Sequence, residues 1–382
     1  MAQGEKIIMF SIEFEIVLVI ILSAVTCSIP GAFLVMRKNY YAADTTNRSS
    51  MLGIAAALIF SSYLSSPLVI IFGSITAVLA MILVKKIKDF TMFRAKGLSI
   101  IISSAFLCFG ILIAANVSFS STSNFDLSII YLGETAFTYF NRLRIFGVDI
   151  GSYALYAISL VLIINIIIIT VFYKEFKIDG VDKNYAASIE MRESTIDYLL
   201  LIMTSLSVSV SFQTAGIFMT SAFILGPAAT ALFYTKRLSS LAFVSVFISS
   251  VACLAGFGIA WPNEVSISGT IVSFLGVLFV VSVIFSPEEG LLKKYFDNLT
   301  TQKRLEEYII MDILNSEIID CKEKNINEVI SYSLKWKLMR VSYIMNKLKS
   351  ENKIEIVQDK VQLTEEGKDI LNRFLAAQHC FY

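Results

Sequence analysis

Residues 16–36 read IVLVIILSAVTCSIPGAFLVM, a run with no ionisable carboxylate or amine, and Arg37 and Lys38 follow it at once. A helix of that length rises about 30 Å, the depth of a bilayer's hydrocarbon core. Working outward, the same reading applies to Ser50–Leu64, Leu68–Val84, Leu98–Asn116, Ser152–Phe172, Ile196–Phe212, Thr214–Tyr234, Leu241–Ala260 and Ile267–Phe285. These segments predict an all-α polytopic membrane protein with eight or nine transmembrane helices. Lys6 and the Ala24-Val25-Thr26-Cys27 stretch have some features of a cleaved signal. Glu13 and Glu15 break the required order of charge then apolar run, so an uncleaved first helix is expected.

Composition agrees. Of 382 residues 56% are apolar and only 16% charged, and the mean hydropathy is +0.70. Soluble domains are about 45–50% apolar and about 25% charged. Thirty-two Lys and Arg against 31 Asp and Glu leave no global field to steer a polyanion. The five cysteines form no CxxC pair, and the single histidine, His379, excludes a histidine-based triad in the main body. No GxxxxGK[ST] loop, GxSxG elbow or HExxH helix occurs, so no catalytic residue is assigned and the chain is not expected to be an enzyme.

Lysines and arginines orient the helices. Lys85, Lys86, Lys88, Arg94 and Lys96 crowd one short loop, Arg37-Lys38 and Lys236-Arg237 mark two more, and Lys293-Lys294 follow the last apolar run. Cytoplasmic basic loops put Val117–Ile150 outside, Tyr173–Thr195 inside and the C-terminus in the cytoplasm. Gly226-Pro227, inside an apolar segment, predicts a helix kink, because proline has no N–H to donate. Asn116, Asn165, Gln213 and Thr214 are expected to bond to neighbouring helices. The isoleucine-rich run 163–169 reads as a lipid-facing or packed face.

Three segments carry a family resemblance: Pro30–Arg37 leading to Ala43-Asp44-Thr45-Thr46-Asn47-Arg48, then Ile224-Leu225-Gly226-Pro227-Ala228-Ala229-Thr230-Ala231, then Ser268-Gly269-Thr270 closing on Ser286-Pro287. Over residues 16–290 the chain resembles the permease subunit of the ABC importers for manganese, zinc or iron. The resemblance implies a bacterial cytoplasmic (inner) membrane and a transported divalent metal ion. It also implies ATP bound by a partner ATPase subunit, an extracytoplasmic metal-binding protein, and a homodimer or a heterodimer with a sister permease. No cofactor is expected on this chain itself. The family's first cytoplasmic turn usually pairs Asp with His four residues on. Here Asp44 matches the aspartate, while Arg48 stands at the histidine and Leu52 at a proline. Arginine has no lone pair for a metal, so Asp44 and Arg48 either border the metal pathway or form a structural ion pair. By the same resemblance Asp182–Met191 is the helix that docks on the ATPase, with Asp182, Tyr185, Ala186 and Ala187 as its coupling residues. Ala186 and Ala187 would permit close approach.

Beyond Pro287 the apolar runs stop. Residues 1–290 are expected to form the permease domain, 291–303 a linker, and 304–382 a small cytoplasmic α+β domain. Helices are expected at Arg304–Asn315, Ile326–Ser331 and Lys337–Ser350, then two alternating strands turning at Gln358-Asp359, then a last helix. That order resembles a winged helix, and Leu363-Thr364-Glu365-Glu366-Gly367 is similar to the diphtheria-toxin-repressor family, which implies metal sensing through a residue such as His379. Arg340, Lys347 and Lys349 are candidate nucleic-acid contacts, because Val341, Ile344, Met345 and Leu348 take the apolar face. The alternative function is therefore a membrane-anchored, metal-responsive transcription regulator.

Overall fold

The computed structural model describes residues 2–61, 66–120, 142–145, 148–181, 193–286, 290–316, 326–357 and 360–379. The chain divides into two compact units, Met1–Gly290 and Leu291–Tyr382.

In the first unit, helix α1 spans Ala2–Met36, α2 Tyr40–Phe60, α3 Pro67–Phe90 and α4 Ala95–Ser120. A hairpin of β1, Arg142–Ile145, and β2, Val148–Ser152, leads into α5, Tyr153–Val171, and α6, Tyr173–Val181. Then come α7, Glu193–Leu232, α8, Leu238–Ala260, and α9, Ile267–Phe285. Seven of these are long and apolar enough to cross a membrane among the described residues. The expected eight or nine falls for two reasons. Ile196–Phe212 and Thr214–Leu232 lie in one helix, α7, and of the segment expected at Ser50–Leu64 the residues Ser50–Phe60 belong to α2, whose earlier turns carry Asp44, Thr45, Thr46, Asn47, Arg48 and Ser49.

Helix α7 is the hub, packing on α1, α2, α3, α5, α8 and α9. Ile20, Cys27 and Leu34 of α1 meet Val208, Met219 and Phe223 of α7 in the largest buried cluster, which continues through Cys253 to Ile271. Apolar matching cannot drive this in lipid, so close approach and polar links matter more. Gly31 supplies the first: a methyl there would strike the backbone of Ile224. A polar seam supplies the second, with Asn165 donating to Ser207 Oγ at 2.7 Å and Ser23 bonded to Thr214 at 3.2 Å. Asn116 instead donates to Leu112 of its own helix, and Gln213 Nε2 is buried without a partner. The isoleucine run splits as helix geometry requires: Ile163, Ile166 and Ile167 face outward while Asn165 is buried.

At the end of α1 farthest from the chain's start, Lys38 takes φ 56 while Lys38 N–H bonds Val35 C=O and Asn39 N–H bonds Leu34 C=O. That pair of bonds is a Schellman ending, usually closed by glycine. It reverses the chain into α2 and turns Arg37 inward.

The second unit comprises α10, Leu291–Ser316, α11, Ile326–Leu334, and α12, Leu338–Ser350. The hairpin of β3, Ile354–Val357, with β4, Lys360–Leu363, precedes α13, Glu365–His379. Residues 291–303, expected as a linker, are the first half of α10, which runs unbroken because no proline or glycine interrupts it. Ile310, Leu314, Ile330, Val341, Leu348, Ile354, Leu363 and Leu371 draw the helices and hairpin onto one core. The Gln358-Asp359 turn lies outside the described residues.

Candidate functional site

Helix α2 is buried on nearly every side. Between its exposed end residues, Tyr40 and Phe60, the residues it leaves open are Tyr41, Asp44, Arg48, Leu52, Ala56 and Ile59, spaced three or four apart and therefore one stripe along the helix. Asp44 and Arg48 are its charged members. Arg48 Nε donates to Asp44 Oδ1 at 2.9 Å, and both side chains stay about a third exposed, at 39% and 32%. Among the described residues no group of three or more His, Cys, Asp or Glu is placed to hold a metal ion. The carboxylate of Asp44 thus meets a fixed cation on its own helix, the geometry expected of an i,i+4 pair.

Behind that stripe, Asn47 points into the bundle. Its Nδ2 donates to Ile217 C=O at 3.0 Å and to Ser221 Oγ, while its Oδ1 is buried without a partner. Ile217 follows the one non-helical residue of α7, Gly216, at φ 66 and ψ −177. Only glycine takes that conformation without steric cost. Gly226 and Pro227, where the kink was expected, carry helical φ and ψ, and Thr230 Oγ1 donates to the Gly226 carbonyl at 2.7 Å. The break sits ten residues earlier, where a side chain from α2 holds it.

A third feature was not anticipated. Asp197, in the first turns of α7, bridges Arg37 Nη1 at 2.9 Å and Lys85 Nζ at 2.8 Å. Arg37 is only 3% exposed, and Lys85 also lies over the Tyr198 ring at 4.7 Å. The α1–α2 turn, the end of α3 and the start of α7 are so tied together at one end of the bundle. Arg37 and Lys85 were legible only as orientation markers, and Asp197 was not singled out at all. At the opposite end, Glu13 accepts from Trp261 Nε1 at 2.8 Å and Glu15 from the Ser152 N–H at 2.6 Å.

In the second unit the expected outward trio does not stand free. Arg340 is paired in a fork with Glu306, and its guanidinium lies 5.4 Å from the Trp336 ring centre. Lys347 bonds Glu307 at 2.6 Å and approaches Glu351 at 3.7 Å. The Glu307 bond raises the Lys347 pKa, and Lys353 lowers that of Glu351. Lys349 is exposed. The α10 carboxylates, within one turn past the expected linker's end, were not paired with these cations in the sequence reading, which set only nearby charges against them.

The family model described as the ABC 3 transport family matches residues 9–286. The chain belongs to the ABC 3 transport family. The manganese transport system membrane protein MntD of Bacillus subtilis is 30% identical over 77% of this chain and 98% of its own length. The zinc transport system membrane protein TroD of Treponema pallidum is 23% identical over 73% of this chain and 76% of its own. Among solved structures, PsaBC from Streptococcus pneumoniae, in complex with Fab, superposes with a TM-score of 0.62 at 23% identity, covering 74% of this chain and 94% of that one. That likeness is one of fold. For an ABC 3 transport family chain the match ends where the second unit begins, so α10 to α13 are an addition to the matched region. Asp182, Tyr185, Ala186 and Ala187, the expected coupling residues, lie outside the described residues.

Proposed function

We propose that this chain is the membrane permease subunit of an ABC importer for a divalent transition metal ion, manganese, zinc or iron. The observation that carries the reading is the family match across residues 9–286, together with relatives named for manganese, zinc and iron transport. The open stripe of α2 supports it. An ion pair on an otherwise buried polar helix is poorly suited to lipid. It suits a water-accessible path, so Asp44 and Arg48 border the pathway, and a second permease, identical or a sister, closes its far side. Arg48 in place of a ligand leaves Asp44 as the one group on that stripe able to attract a cation. A sister subunit that brings its own ligands completes such a path.

The basic ends of α1 and α3 go to the cytoplasm by the positive-inside rule, which puts the C-terminal unit there too. The segment Asp182–Met191 precedes the Asp197 cluster and docks on the ATPase subunit. ATP binding and hydrolysis there drive alternating access, with an extracytoplasmic metal-binding protein delivering the ion at the opposite face. The C-terminal unit is a winged-helix domain that contacts partners inside the cell. Its regulator role is disfavoured by Glu306 and Glu307, which already neutralise two of the three candidate cations.

The test is reconstitution of this chain with its ATPase subunit and binding protein in proteoliposomes, with radiolabelled manganese, zinc and iron uptake measured with and without ATP. ATP-dependent accumulation of at least one of them is expected. Binding-protein-stimulated ATP hydrolysis with no metal accumulated, and a non-metal solute accumulated instead, overturns the assignment.

A further inference from the structure

The end of the bundle that holds Asp197 also holds a cavity of about 630 Å3, inside the roughly 300–1,000 Å3 range of small-ligand sites. Five cations line it, Arg37, Lys38, Lys85, Lys86 and Lys88, against two carboxylates, Asp89 and Asp197. Asp197 engages Arg37 and Lys85, whereas Lys38, Lys86 and Lys88 are exposed and make no ion pair among the described residues. Tyr41 and Asn39 add polar groups, and the buried Asn39 Oδ1 is unpartnered. The remaining wall is apolar, from Met81, Ile82 and Val84.

A second observation says what such a mixed wall suits. On α3, Ile71, Ile75, Leu79 and Leu83 are all exposed, at 40–52%. They follow one another at the spacing of one helix face, and the next positions along that face are Lys86 and Phe90, the first on the cavity and the second 89% exposed. An apolar track about the length of an acyl chain therefore ends at a cluster of lysines. A free anion would use only the lysines, whereas a two-part ligand, with a hydrocarbon tail and a negatively charged head, uses both. Basic pockets at the ends of membrane helices take such heads.

We propose that this cavity binds the phosphate headgroup of an anionic membrane lipid, with its acyl chain along α3 and Lys38, Lys86 and Lys88 around the phosphate. The ligand lies beside the Arg37–Asp197–Lys85 cluster and so bears on the three helix ends joined there. Nothing in this proposal depends on which ion is carried.

The test uses the full-length chain purified in a neutral detergent, titrated with mixed micelles of phosphatidylglycerol, with phosphatidylcholine, or with inorganic phosphate alone. Melting temperature and native mass spectrometry are the two readouts. Phosphatidylglycerol is expected to raise the melting temperature and to remain bound in the gas phase, while phosphatidylcholine and phosphate do neither. Lys38→Gln with Lys86→Gln and Lys88→Gln removes three surface charges, each worth about 1 kcal/mol towards an anionic headgroup, so apparent affinity falls on the order of 100-fold. Lys86→Gln alone, expected to weaken binding several-fold, serves if the triple variant does not fold. Equal effects of phosphatidylglycerol and phosphatidylcholine, unchanged affinity in these variants, or full stabilisation by inorganic phosphate alone each overturn the proposal. Metal uptake is not part of the readout, so failure here leaves the transport reading intact.

Discussion

Replacing Asp197 by asparagine keeps the shape of the side chain and removes its charge from between two cations. Both contacts are short, 2.9 Å to Arg37 and 2.8 Å to Lys85, and Arg37 is almost fully buried. Breaking a buried ion pair from one side costs about 3–5 kcal/mol, because the remaining cation stays desolvated. Asp197 at 25% and Lys85 at 31% exposure let water soften the loss, which brings the figure to about 3 kcal/mol. For a unit of this size that is a fall of about 6 °C in melting temperature. The assay is thermal unfolding of the full-length protein in detergent, followed by tryptophan fluorescence. Lys85→Met on the Asp197→Asn background removes one of the stranded cations and is expected to recover part of the loss. The cluster sits just beyond residues 182–192, so Asp197→Asn is also expected to lower metal accumulated per ATP hydrolysed. A variant melting within about 1 °C of wild type, or no recovery in the double variant, refutes the idea that the carboxylate holds these helix ends together.

Four further outcomes are expected. Ala187→Arg puts bulk and charge into the proposed ATPase contact and uncouples hydrolysis from uptake at normal membrane expression, checked by parallel ATPase and uptake assays. Arg48→His frees Asp44 and creates an Asp–His pair on one helix face, so metal preference or affinity changes in uptake assays, whereas Asp44→Asn with unchanged preference would mark the pair as structural. Lys335 occupies the left-handed position closing α11, at φ 53, so Lys335→Gly is expected to stabilise the C-terminal unit by about 0.5–1 kcal/mol, read as slower amide exchange there. Glu351 titrates below its ordinary value of 4.5, through its bond to Lys353; its contribution to that unit is present above pH 4.5 and is lost as the pH falls through the depressed value, which the same exchange measurement over a pH series follows.

The membrane character and most helix positions were legible because bilayer helices are written in long apolar runs. Ile267–Phe285 needed no adjustment, and Leu98–Asn116 lies within α4. What was illegible depends on groups distant in sequence. The break at Gly216 left no local mark in the sequence, because the side chain that meets it, Asn47, lies on another helix. Gly226-Pro227 drew attention as a local signal, yet a proline's missing bond can be absorbed without leaving helical angles. The pairing of Arg48 with Asp44 was accessible from spacing alone, being local to one helix. The ion pairs of Arg340 and Lys347 were illegible for the opposite reason, since their carboxylate partners sit on α10, well upstream. Helix ends were hard for a related reason. Lys38, Glu264, Lys335 and Asn352 all close helices at positive φ where glycine is the usual signal.

The ending at Lys38 has a consequence for how the protein is inserted. Glycine at that position would relieve backbone strain, yet it would remove a positive charge from a short loop that tells the insertion machinery which side to retain. Lysine there accepts the strain and keeps the charge, so under the positive-inside orientation proposed above one residue would serve both as the stop of a helix and as a topological marker. The two roles pull in opposite directions: a substitution chosen to make the folded protein sturdier would blur the signal by which the nascent chain acquires its orientation. Melting temperature and insertion fidelity are therefore separate readouts of a substitution at this single position.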